Sequence, residues 1–195
     1  MQKYTAVAIL AITIALVGFG CTRGSDRSNG AASFSPEKIL AEAKKNGLIM
    51  DDAETLAMSD VSHLASVSGS NPEDQDPYVV VDKTDWKAAA LADVTGGGSF
   101  GLAFSDYRDG NYTLVATMGN LPPLAEEQFY EGWIVKRGKQ MSVVSIGKVE
   151  PRGDKFAHVF VSKEDLRGYD FFVVTSESDD GHLAPDQHKL EGTFK

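Results

Sequence analysis

From Tyr78 to the C-terminus the chain reads as short β-forming runs cut by turn residues every 8–12 positions, and this rhythm restricts the fold more than any other feature. Ser99–Tyr107 alternates, with Phe100, Leu102 and Phe104 sharing one face. Arg108-Asp109-Gly110-Asn111 reads as a hairpin turn, and Tyr112, Leu114 and Ala116 alternate on the return strand. Phe129–Lys136 and Met141–Val149 repeat the arrangement around Arg137-Gly138-Lys139-Gln140. Phe156–Val161, Tyr169–Ser176 and Leu190–Phe194 follow. Tyr78–Asp82 and Trp86–Val94 come before, the latter weakened by the poor strand formers Ala88, Ala89 and Ala90. That makes about eight strands over roughly 115 residues, and no helix-length segment separates them. A parallel α/β sheet is therefore excluded, and the expected fold is mainly β: an antiparallel β-sandwich of Ig-like type.

Upstream the texture differs. Ser35 suits a helix cap and Pro36 the first helical position, Ile39, Leu40 and Ala43 form a short apolar stripe, and Asn46-Gly47 ends it. Asp51–Met58 reads as a second short helix. Two such helices are too small to make a core, so they are expected to dock on the main domain, with a contact element as the alternative. Ser59–Pro77 is polar and turn-rich, with an acidic patch at Glu73, Asp74 and Asp76. The expected division is a signal segment at 1–20, a Gly/Ser-rich tether at 21–34, the helical segment and linker at 35–77, and the β-domain at 78–195.

The first residues carry one charge, Lys3, followed by an apolar run that ends in Gly18-Phe19-Gly20-Cys21. A basic start, an apolar middle and small residues before the cut are the layout of a secretory signal. Leu16-Val17-Gly18-Phe19-Gly20-Cys21 resembles the lipobox of bacterial lipoproteins, departing from it where Gly18 and Phe19 stand for the usual Leu and small residue. The resemblance implies that Cys21 carries lipid and that signal peptidase cuts before it. Cys21 is the only cysteine, so neither an internal disulfide nor a thiolate metal cluster is available. The expected location is therefore a membrane, held by the lipid on Cys21, with the body facing the periplasm or the cell exterior. The chain carries −9 in formal charge. That disfavours binding to nucleic acid or to anionic lipid through a basic surface.

Chemical motifs are sparse. His182 and His188, with Asp180 and Asp186, have a composition that suits zinc, but the favoured reading is a solvated loop. Glu177, Asp179 and Asp180, like Glu73, Asp74 and Asp76, offer oxygens to calcium without the spacing of a known loop. His158 stands between Phe156 and Phe160 and is expected on the face opposite to both. Trp86 and Trp133 are read as core or half-buried, with a sugar-binding platform as the sharper alternative. No nucleophile elbow, phosphate-cradling loop or His-Glu-x-x-His helix is present, so neither an enzyme nor a cofactor is expected.

One further pattern spans residues 98–195. Asn120-Leu121-Pro122-Pro123-Leu124 precedes Phe129-Tyr130-Glu131-Gly132-Trp133-Ile134-Val135, a Gly138-Lys139 turn follows, and Val173-Val174-Thr175-Ser176-Glu177 leads to Pro185 and Leu190-Glu191-Gly192. This order resembles the extracytoplasmic C-terminal domain of anti-sigma-K factors. The resemblance implies a β-domain with a sensing or protein-contact role. It does not extend to sigma binding. The His-x-x-x-Cys-x-x-Cys motif often used for that is missing, and only Met1–Lys3 precede the apolar run. The expected function is a non-enzymatic interaction or sensory domain of the envelope with a protein partner; the alternative is a lipoprotein that binds a small ligand or a carbohydrate.

Overall fold

A computed structural model describes residues 35–72 and 82–195. The signal segment, the tether with Cys21, the acidic patch at 73–76 and residues 78–81 of the expected strand Tyr78–Asp82 lie outside the described residues.

The helical segment follows its end signals. Helix α1 (Pro36–Lys45) starts where the Ser35 hydroxyl accepts from the Lys38 amide, and it closes at Gly47, whose φ of 63° suits glycine. Helix α2 (Asp52–Met58) opens with a reciprocal capping box between Asp51 and Glu54. A 3₁₀ turn (Val61–His63) leads into the β-domain.

Ten strands follow: β1 (Gly69–Ser70), β2 (Lys87–Asp93), β3 (Phe100–Arg108), β4 (Asn111–Gly119), β5 (Gln128–Lys136), β6 (Ser142–Lys148), β7 (Glu150–Arg152), β8 (Lys155–Ser162), β9 (Phe171–Ser178) and β10 (Gln187–Thr193). All pair antiparallel, as the turn spacing predicts. The sandwich expectation needs two sheets, whereas the ladder here runs unbroken as β1-β8-β4-β3-β2-β10-β9-β5-β6. The path nearly closes into a barrel. Strand β7 continues from β6 and pairs the free side of β8, joining one end of the seam. At the other end Leu64 bridges Val143 of β6 and β1 pairs Ser162 and Val161 of β8, so residues 64–70 span the gap. Turn rhythm cannot separate a sandwich from a barrel, because both are built from the same short hairpins.

Two cores result. The barrel interior gathers Leu91, Tyr112, Leu114, Met118, Tyr130, Ile134, Phe160, Phe172 and Leu190, among others. Strands β5 and β9 are apolar on both faces. Their outer residues Trp133, Val135, Phe171 and Val173, with Met141 and Val143, form a second core capped by Met50 and Met58 of the helical segment. The segment therefore docks on the outer wall.

Phe100, Leu102 and Phe104 do share a face, and it is the outer one: Phe100 is 57 % and Leu102 50 % exposed. The inward positions of β3 are Gly101, Ala103 and Ser105. The register takes the small residues inside because the wall is tight there. A Cβ on Gly101 would stand 2.8 Å from the Thr117 carbonyl oxygen and 2.9 Å from Leu91. His158 also differs from expectation. It pairs with Ala116 and points inward with Phe156 and Phe160, since residues two apart on a strand share a face.

Candidate functional site

The outer face of β10 carries the densest polar chemistry that is shielded from water. Glu191 is 2 % exposed, and a buried carboxylate must be paired or hydrogen-bonded. One oxygen accepts from the Met50 amide at 2.6 Å, and the other meets Nδ1 of His188 at 2.7 Å. Residues three apart on a regular strand face opposite ways. Here the register slips between His188 and Leu190, leaving Lys189 as the extra residue, and this bulge turns His188 and Glu191 to the same side. His188 is buried, and its Nε2 has no hydrogen-bond partner among the described residues. Beside the pair lies a cleft of about 330 Å³ lined by Lys44, Asp52, Thr55, Thr95, Gln187 and His188.

A second clasp lies further along β10. The Gly47 carbonyl accepts from the Thr193 hydroxyl at 2.9 Å and from Arg137 at 3.1 Å. The Arg137 guanidinium reaches Thr193 at 3.4 Å and lies 4.4 Å from the centre of the Phe171 ring. Ser59 donates to the Pro185 carbonyl at 3.4 Å. Under these contacts Trp133 donates to Thr175 at 2.8 Å and is buried, so it offers no open face to a sugar. What the arrangement can do is hold: it fixes the backbone of residues 47–50 to the barrel through side chains of β10 and the end of β5.

The histidine–aspartate loop does not converge on a metal. His182 stands 3.7 Å from Asp186, Asp180 accepts from the backbone of His182, and His188 turns away into the pair with Glu191. Among the described residues no group of three His, Cys, Asp or Glu side chains is placed to hold an ion. Glu177 accepts from the Asp186 amide at 3.0 Å. Burial raises the carboxyls of Glu177 and Glu131, and their proximity adds to the rise on Glu131. Asp93 moves the opposite way: although burial works against it, bonds from Thr95 and Ser99 hold it below the usual carboxylate range. These bonds also tie down the Gly96-Gly97-Gly98 loop, which reads from sequence as a flexible turn. Glu191, Arg137 and Thr193 are the candidate site positions that sequence reasoning did not single out. The available signal was a lone acid, Glu191, between Leu190 and Gly192 in the closing strand.

Fold and site together define a β-domain that grips a helical segment preceding it in the chain. The family model described as "Anti-sigma-K factor rskA, C-terminal" matches residues 5–190. The chain belongs to that family, and its domain is of the anti-sigma-factor-like regulatory kind. No curated protein and no solved structure matches it. Among the described residues no helix is long and apolar enough to cross a membrane.

Proposed function

We propose that the chain is an extracytoplasmic regulatory domain of the cell envelope, anchored by lipid on Cys21. Its role is sensory or protein-binding, it is not an enzyme, and it does not itself bind a sigma factor. The observation that carries this reading is the clasp: the buried Glu191 carboxylate and the half-buried Thr193 and Arg137 side chains bond the backbone of the helical segment, which is the element lying between the barrel and Cys21 in the chain. A force or partner acting on the segment is thereby coupled to the barrel. Family membership supports the regulatory role. The single cysteine, at the end of a signal-like segment, supports the anchor and leaves no cysteine pair for a sigma-binding metal motif.

The test has two arms. Cys21→Ala is expected to abolish metabolic labelling with palmitate and to block maturation; unchanged labelling overturns the anchor. In-cell crosslinking of the full chain followed by mass spectrometry is expected to recover a specific envelope protein. Recovery of none, across crosslinkers of different reach, overturns the partner role.

A further inference from the structure

At the barrel end that holds the β3–β4 hairpin, the inward side chains leave a cavity of about 170 Å³. Its chemistry differs from that of both cores. Tyr107 and Tyr112 stand opposite each other in the β3–β4 register, and Tyr169 reaches the same space from the turn before β9. Tyr112 is 1 % exposed, and its hydroxyl has no hydrogen-bond partner among the described residues. Ser105 lies close enough to influence that hydroxyl without completing a bond. A buried hydroxyl left unpaired is a standing cost, which an acceptor entering from the cavity removes.

The rim decides the class of occupant. It carries two acids, Asp85 and Asp106, and two bases, Lys87 and Arg167. Asp106 is already paired with Arg108 at 3.2 Å, and Arg167 with Asp165 at 2.6 Å. Arg167 also stacks 4.9 Å from the centre of the Tyr107 ring. With two acids against two bases the rim carries no net charge, so it selects neither an anion nor a polyamine. What remains are aromatic faces and a balanced set of donors and acceptors. That combination suits a ring with an apolar C–H face and hydroxyls around its edge. The volume falls below the roughly 300–1,000 Å³ of drug-sized sites, which limits the occupant to one ring.

We propose that this barrel-mouth cavity binds a single neutral sugar ring, reached from solvent when the exposed Arg167 side chain swings off Tyr107. The assignment does not depend on the lipid anchor or on the regulatory reading.

The test is calorimetric titration of the full chain with methyl β-glucopyranoside, methyl β-galactopyranoside and N-acetylglucosamine, with inorganic phosphate and spermidine as ionic probes. At least one sugar is expected to saturate, and neither ion. Tyr107→Ala is expected to weaken that sugar about tenfold or more. Tyr112→Phe is expected to weaken it about tenfold, the worth of one hydrogen bond, without lowering the melting temperature. Failure of every sugar to saturate overturns the proposal, as does saturation by an ion alone. A Tyr107→Ala variant that melts like the parent and binds sugar equally well also overturns it. So does a Tyr112→Phe variant that melts lower and binds sugar unchanged.

Discussion

Glu191 has both carboxylate oxygens engaged, one with a backbone amide and one with an imidazole. Glu191→Ala strips a partner from each, leaving the Met50 amide and His188 Nδ1 buried and unpaired. The expected loss is about 2–4 kcal/mol in chemical denaturation, with Glu191→Gln costing less because it keeps an acceptor for the Met50 amide. A denaturation midpoint unmoved in Glu191→Ala rules the clasp out as a stabilising element. His158 gives the domain a pH signature. Burial pushes its imidazole down to about 4, against a bond from Nδ1 to the Lys148 carbonyl. The unfolded chain therefore takes up this proton at higher pH than the folded one. The contribution is complete above about pH 6.5 and drains away as pH falls toward 4, by about 3 kcal/mol in all. Glu131 and Glu177 act oppositely, since their raised carboxyls favour the folded state as they protonate, so the His158 component is isolated by comparison with His158→Gln. A parent and variant with the same slope between pH 6.5 and 4 contradict the assignment. At this scale the sequence was only partly legible. Its apolar alternation identified the inward face of β4 at Tyr112, Leu114 and Ala116, but in β3 it marked Phe100, Leu102 and Phe104, which face outward. Nothing local announces that a bulge at Lys189 brings His188 to Glu191, because the bulge is fixed by pairing with β9.

The helical segment was legible as two helices, since its signals are local: Ser35, Pro36, the Asp51–Glu54 box and Gly47. Its docking face was not. Helix α1 has no buried residue, and attachment rests on Ile49, Met50 and Met58 with the backbone bonds at Gly47 and Met50. Met58 is fully buried against the second core, so Met58→Ala is expected to cost about 2–5 kcal/mol. Trp133 lies beneath the segment and is 3 % exposed. If docking is lost before the barrel opens, its emission shifts to the red at lower denaturant than the loss of β-structure by circular dichroism. Met58→Ala is expected to widen that gap, and coincident transitions in parent and variant show instead that segment and barrel unfold as one unit. The double-sided apolar character of Phe171–Val174 was readable, and it required a second layer; the sequence did not say which segment supplies it.

For the molecule as a whole, mainly β and antiparallel followed from hairpin spacing, whereas closure did not, because it depends on contacts between residues far apart such as Leu64 with Val143. The narrow β2–β3 wall is part of that closure. Gly101→Ala places a methyl group against the Thr117 carbonyl and Leu91, and is expected to destabilise by about 1–3 kcal/mol through overpacking. A variant as stable as the parent shows that the wall has room to expand. The joined seam also bears on how copies of the domain treat one another. Sheets with long bare margins recruit other chains by lending them unpaired amides, the first step of templated aggregation. Here β7 and residues 69–70 cover most of the margin of β8, while β6 is met at Val143 alone. Along β8, crowded copies therefore meet through side chains, which there favours reversible contact over fibre growth.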